Sequence, residues 1–426
     1  MADYRTMWAE LGMDLDRHDQ LLELLGGAYT QLFLSQENRP EGMKYFDFVV
    51  SEAHGLRIQE LVDHKKAGGT VVGSFCVFVP EDVILAAGGI SIGLCAGAEF
   101  SIPDSDGIIP RNSCPLIRAS LGFKLSGTCP YIQSADFLVG ETTCDGKKKM
   151  YEVMGQYHPT YVMEVPQIKT PQAMDLFRSE IVAFKDKMES ESGRKIAADD
   201  LAAATDKVEA KKAAIRRFNA ARAADPVPIS GRDALLVSQI AFYDDIDRFT
   251  SKVNDLAAEL EDRAAKGEGV FPKKTPRILY AGTPLPLPDW KLHTIVESAG
   301  GVIVGEESCV GSRYYSTTTP DSDGTLDGQL SAISERLMST HCACFTPNTE
   351  RVDDVIAMAR ELKADGVIHY SLSFCQTYEY EAMKMEKALQ SEGIPILSLS
   401  SDFSSNDNAQ LATRVQAFVE MLDRRE

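Results

Sequence analysis

The stretch "GTVVGSFCVFVPEDVILAAGGISIGLC", Gly69 to Cys95, reads in one pass as strand, helix and strand. A short apolar run leads to Cys76. Pro80 then suits the first turn of a helix, where its missing N–H would have no partner anyway. Gly88 and Gly89 stop that helix, and "ISIG" starts a second strand. The same grammar continues downstream: "ADFLVG" (135–140) is a buried strand, the segment after Cys144 is a helix, and "TYVMEVPQ" (160–167) is another strand. Strands that alternate with helices argue for an α/β fold whose parallel sheet is covered on both faces.

Around this unit the chain divides by pattern. Residues 1–66 read as an N-terminal helical segment, with an apolar stripe through Leu21, Leu22, Leu24 and Leu25 and a second helix through Val49 to Val62. A first α/β domain is expected over 67–170 and a helical region over 171–267. Ser230 and Asp233 stand at a capping spacing at the head of the last long helix. "KGEGVFPKKTP" (266–276) reads as a linker, and a second α/β domain follows over 268–426. The two α/β regions can be laid over each other. "LAAGGISIGLC" ends at Cys95 and "ESAGGVIVGEESC" at Cys309, while "ADFLVGETTC" ends at Cys144 and "ADGVIHYSLSFC" at Cys375. This pattern predicts an internal repeat of one α/β unit around a helical middle.

Bulk properties narrow the function. The 426 residues leave room for more than one core, and the net charge of -19 argues against nucleic acid, whose phosphates demand clustered cations. The segment "MADYRTMWAELGMDLDRHD" has no apolar run of the kind a signal peptide needs. Val83 to Ala98, the longest apolar stretch, is interrupted by glycines and too short to cross a membrane. A cytoplasmic location is therefore expected. In that reducing compartment an odd count of nine cysteines does not suit a disulfide framework.

The cysteines stand at particular places instead. Cys76, Cys95, Cys144, Cys309 and Cys375 follow strand-like runs, where open parallel sheets build their sites. Cys114 and the Cys342/Cys344 pair stand at expected helix starts, whose dipoles favour thiolate, the metal-binding form. "VGETTCDGKKKMYE" (139–152) resembles a phosphate loop only superficially: five residues separate its glycines and no hydroxyl follows Lys147. It reads as a ligand loop carrying Cys144, with Lys147 facing negative charge. Scattered single cysteines suit an iron–sulfur cluster somewhat better than zinc, which prefers close CxxC pairs. His341, beside the CxC, and Glu141, just before Cys144, are the candidate proton donors. Arg351 is a candidate to balance cluster charge, while Thr346 and Asn348 are candidates to orient the CxC loop. Met13, Met43, Met154 and Met163 read as core fillers.

Five stretches, "GSFCVFVPEDVILAAG", "PRNSCPLIRASLGF", "VGETTCDGKKKMYE", "HCACFTPNTERVDD" and "DGVIHYSLSFCQTYEYEAMKM", resemble the superfamily of 2-hydroxyacyl-CoA dehydratase and benzoyl-CoA reductase subunits, and most closely its double-cubane cluster protein branch. The resemblance implies two Rossmann-like domains with an iron–sulfur centre between them. It also implies an ATP-hydrolysing iron–sulfur activator as partner, a homodimer, and a small-molecule substrate reduced at low potential. In the dehydratases three cysteines hold one cubane, and Cys76, Cys114 and Cys375 match them. The double-cubane branch needs six, and the resemblance assigns the others to Cys144, Cys309 and either Cys342 or Cys344. Cys95 and Cys129 are left to packing. The alternatives are a 2-hydroxyacyl-CoA dehydratase subunit with a single [4Fe-4S] cluster, a non-catalytic electron carrier or metal store, and a zinc-stapled protein.

Overall fold

The computed structural model describes residues 4–424, so the first three residues of the N-terminal segment and the last two of the C-terminal region lie outside the described residues. Its frame is two sheets of four parallel strands. The first contains β1 (Val71–Ser74), β2 (Ile90–Gly93), β3 (Phe137–Glu141) and β4 (Thr160–Met163), in the order β2-β1-β3-β4. The second contains β5 (Arg277–Gly282), β6 (Val302–Glu307), β7 (Gly366–Leu372) and β8 (Ile396–Ser401), in the order β6-β5-β7-β8. The two orders are the same, so the repeat read from the sequence is a repeat of topology.

The apolar runs explain this arrangement. Val71, Val72, Leu138, Val139, Ile278 and Leu279 are fully buried, so successive residues on both faces of the inner strands are covered. The outer strands β4 and β8 are less buried. The Gly-Gly turns recur as well: Gly88 and Gly300 take φ of 75° and 88°, a left-handed backbone that admits glycine freely. In each sheet the chain leaves the first strand toward one side and returns on the other. That reversal opens a crevice beyond the carboxyl ends of the central strands.

The helical parts run longer than most. Among the described residues four α-helices and a π-helical turn, Thr30–Leu34, precede β1, and Pro171–Ser192, Ala198–Ala220, Gly231–Ile240 and Ile246–Lys266 fill the middle. On the last of these, Phe249, Val253, Leu256, Ala257 and Leu260 form the buried stripe. Ser230 accepts from the Asp233 N–H at 3.1 Å, as its spacing predicts. All four of the methionines expected in the core are buried.

Three local expectations change. The helix expected through Val49 to Val62 is two, Met43–Ser51 and Leu56–Lys66, because Gly55 packs against the Tyr4 ring, where a Cβ would stand 2.3 Å from a ring carbon. The long helix after Ser230 breaks before Ile246, where Asp245 accepts from the Arg248 N–H at 2.9 Å and starts a new helix. Leu24, placed on the apolar stripe, is 60% exposed, whereas Leu21 is buried. Among the described residues no helix is long and apolar enough to cross a membrane.

Candidate metal centre

The crevice ends of both sheets carry cysteine. Cys76 follows β1, Cys144 follows β3, Cys309 follows β6 and Cys375 follows β7. Cys144 caps the helix Asp145–Met154, its sulfur accepting the Lys147 N–H at 3.5 Å. Cys375 precedes the helix Gln376–Ser391, and Cys114 precedes Pro115–Leu125. Phe374, immediately before Cys375, holds a left-handed φ of 65°, which a bulky residue adopts only under constraint from its surroundings. Cys342 and Cys344 depart from the sequence reading. They lie in a turn ahead of the helix Glu350–Glu361, not at a helix start.

Contacts among the thiols join the two halves. Cys76 stands beside Cys309, Cys114 beside Cys375, and Cys342 beside Cys344, each close enough to shift the other's ionisation. Cys342 also acts electrostatically on Cys76, Cys144, Cys309 and Cys375. The seven thiols of both halves thus lie within one another's electrostatic influence. Within each pair the neighbouring thiol raises one pKa and lowers the other: Cys76, Cys114 and Cys344 go up, while Cys309, Cys375 and Cys342 go down. Cys144 shows that burial outweighs the helix mouth, since desolvation pushes its thiol up to about 11 despite the backbone N–H it accepts. Cys95 stands at the margin, donating to the Phe75 carbonyl at 3.0 Å. Cys129 precedes a short helix elsewhere and is raised to about 11 by burial.

Among the described residues no three His, Cys, Asp or Glu side chains stand together as a ready metal-holding group. The thiols come as pairs spread across the crevice, and an all-thiol set is the soft chemistry that iron–sulfur clusters take.

Charge around the thiols is arranged in detail. Lys147 turns inward, pairs with Glu141, and lies in the field of Cys76, Cys95, Cys309 and Cys342. Lys148 and Lys149 instead pair with Asp145 and Glu152 on the helix surface. Glu141 is fully buried and saturated, accepting from Thr143 and Tyr151 hydroxyls at 3.0 Å each besides Lys147. His341 binds Asp354 through Nδ1 at 2.6 Å. Arg351 is fully buried, with its guanidinium divided between Glu307 at 2.8 Å and Glu381 at 2.6 Å. Asn348 donates to the Cys342 carbonyl at 3.0 Å and fixes the CxC turn.

Two residues that the sequence reading passed over stand closer to the sulfurs. Tyr378 has its hydroxyl 3.9 Å from Cys342 Sγ, and its ring lies between the guanidinium groups of Arg313 and Arg351, at 5.2 and 4.9 Å. Buried Arg313 also donates to the Tyr378 oxygen and the Gly282 carbonyl. Their positions one helical turn after Cys309 and Cys375 were the available signal.

Beside the thiols lies a cavity of about 860 Å³, its open mouth included, bordered by Cys76, Cys95, Cys309 and Lys147. Neither His341 nor Glu141 is among its lining residues.

The family described as "2-hydroxyglutaryl-CoA dehydratase, D-component" matches residues 76–422, nearly the whole span from the first of these cysteines onward. The chain belongs to this dehydratase family. The putative dehydratase subunit YjiM of Escherichia coli is 32% identical over 375 residues, covering 87% of this chain and 96% of that protein. The (R)-phenyllactyl-CoA dehydratase beta subunit of Clostridium sporogenes is 25% identical, covering 84% and 93%. One of the subunits of benzoyl-CoA reductase from Thauera aromatica is 20% identical, covering 82% and 89%. The dehydratase family is one of enzymes, and its breadth takes in both dehydration and reduction.

Proposed function

We propose that the chain is an iron–sulfur reductase that holds a double-cubane cluster between its halves. An ATP-hydrolysing iron–sulfur partner charges it, and it acts as a cytoplasmic homodimer on a small molecule. The ligands are Cys76, Cys114, Cys144, Cys309, Cys375 and one of Cys342 and Cys344. The observation that supports this reading is that seven cysteines from both halves stand along the crevice in mutual electrostatic influence, where a single cubane takes three. When bound, such a cluster supplies electrons at a potential set by charge, hydrogen bonding and burial.

The chain's own groups shape that environment. Lys147 places a buried cation against the thiolates, and Glu141 acts by holding that lysine in position. Tyr378 presents a hydroxyl to Cys342, with Arg313 behind it. Arg351 and His341 anchor the CxC turn and the helix after it through Glu381 and Asp354. The cavity against Cys76 and Cys309 receives the substrate.

The names of the relatives favour a second reading, an (R)-2-hydroxyacyl-CoA dehydratase subunit with one [4Fe-4S] cluster. Anaerobic reconstitution with iron and sulfide counting separates the two: about eight irons per chain for the double cubane, about four for the single. Reduction by the ATPase partner, followed by assay with small oxidants, then distinguishes an enzyme from a non-catalytic carrier. A centre that is reduced and passes its electrons to no acceptor overturns the reductase.

A further inference from the structure

The cavity beside the thiols is mostly apolar, lined by Phe75, Val79, Leu94 and Val310, but one corner is not. There Lys211, its side chain 2% exposed, sets its ammonium 2.7 and 2.9 Å from the two Glu81 oxygens and 3.3 Å from the Ala241 carbonyl. The Tyr314 hydroxyl donates to Glu81 Oε2 at 2.8 Å, and the tyrosine ring lies 5.0 Å from the ammonium. All three side chains line the cavity. They come from separate parts of the chain: Glu81 from the helix after Cys76, Lys211 from the helical middle, Tyr314 from the segment after Cys309.

Glu81 and Tyr314 also border a second cavity of about 330 Å³, its opening to solvent included, whose other walls include Lys212, Thr317 and Thr340. Water takes about 30 Å³ in the liquid, so this space has room for it, and its walls supply the polar partners that ordered water needs. Thr317 stands between the exposed Ser316 and Thr318, which brings that second cavity close to solvent. Desolvating an ammonium and a carboxylate costs several kcal/mol per ion before they pair. Packing alone gives no reason for such a corner in a chamber whose walls are mostly apolar.

We propose that Tyr314, Glu81 and Lys211 form a proton relay from water in the smaller cavity to a molecule being reduced in the larger one. The relay rests on the reductase reading above. A two-electron reduction takes two electrons, delivered by the ATP-hydrolysing partner, and two protons. For each proton, an N–H bond of Lys211 breaks as the acceptor gains hydrogen. The Tyr314 O–H proton passes to Glu81, Glu81 returns one to the lysine amine, and the tyrosine oxygen takes one from cavity water. The net change is one proton drawn from bulk water.

Hydroxylamine is a suitable small probe, since its conversion to ammonia and water takes two electrons and two protons. In reconstituted protein, E81Q and Y314F are expected to keep wild-type iron and sulfide and to give the same reduced-state electron paramagnetic resonance signal. Reoxidation of that signal by hydroxylamine slows at least tenfold, and its solvent deuterium isotope effect rises. E81D recovers part of the rate, which a merely structural role would not predict. Wild-type reoxidation rates and an unchanged isotope effect in both variants overturn the relay alone. A wild type that holds no iron, or is reduced and leaves hydroxylamine intact, removes the reductase reading and the relay with it.

Discussion

Arg336 grips Asp82 with both ends of its guanidinium, Nη1 to Oδ1 at 2.9 Å and Nη2 to Oδ2 at 2.6 Å, although 254 positions separate them. Both side chains are buried. Asp82 stands on the helix after Cys76, and Arg336 on the helix Leu326–Met338 that leads to Cys342. The pair therefore fixes a cysteine loop of the first half against one of the second.

Asp82→Ala leaves the buried guanidinium with only Thr319 at 2.7 Å and Glu209 at 3.5 Å, and is expected to cost about 3 kcal/mol, the low end for breaking a buried pair. The measurement is the urea midpoint of the metal-free protein. The double variant Asp82→Leu/Arg336→Met, apolar on both sides, is expected to recover most of that loss. A single variant that unfolds at the wild-type midpoint would show that the halves are held by other contacts.

The sheets were legible because their inner strands are apolar on both faces, so that Val71–Val72 and Leu138–Val139 stand out against the helices. The Gly-Gly turns made the repeat visible, since Gly88 and Gly300 do the same job at the same point of each copy. Cysteine placement was legible for a geometric reason, as strand ends in a parallel sheet face one crevice. Residues that meet only in three dimensions were not. Lys211 finds Glu81 130 positions away, and Tyr314 finds it 233 away, with no local pattern to announce either. Glu141 looked like a free acid in sequence. Its saturation by Lys147 and Tyr151 depends on a helix folding back over β3. Helical periodicity likewise ran through Glu52–Gly55, where contact with Tyr4 sets the break.

Serine substitutions should sort the cysteines. Cys144→Ser and Cys309→Ser are expected to lower iron and sulfide per chain well below wild type, while Cys129→Ser leaves both unchanged. In the CxC, only the ligand's substitution produces the loss. Full iron content in both Cys144→Ser and Cys309→Ser would limit the centre to the three cysteines of a single cubane.

Tyr378→Phe removes the hydroxyl 3.9 Å from Cys342 Sγ and leaves the ring between Arg313 and Arg351. Hydrogen bonds to ligand sulfur stabilise the reduced, more negative cluster. The variant is expected to load the same iron and to show a more negative midpoint in a redox titration followed by electron paramagnetic resonance. An unchanged midpoint at full loading would place Tyr378 outside the electrostatic control of the centre.

A histidine pair near the N-terminus, His18 buried and His54 half-buried, sets an acid limit that does not depend on the metal. His18 Nε2 and His54 Nδ1 lie 3.0 Å apart, and the Trp8 ring packs against His18 with centroids 4.4 Å apart. Burial lowers His18 to about 4 and His54 to about 3, with each imidazolium opposing the other in the second case. In the unfolded chain both return to about 6.5. The folded state therefore declines protons that the unfolded state accepts, and its stability falls as pH drops below that value. The slope approaches about 1.4 kcal/mol per pH unit for each histidine and levels only near the folded values. Between about pH 7 and pH 5 the pair contributes a loss of roughly 4 kcal/mol, read from urea unfolding of the metal-free protein. The double variant His18→Gln/His54→Gln, which has nothing to protonate there, is expected to flatten that part of the profile. An equal fall in both proteins would assign the acid sensitivity to other groups.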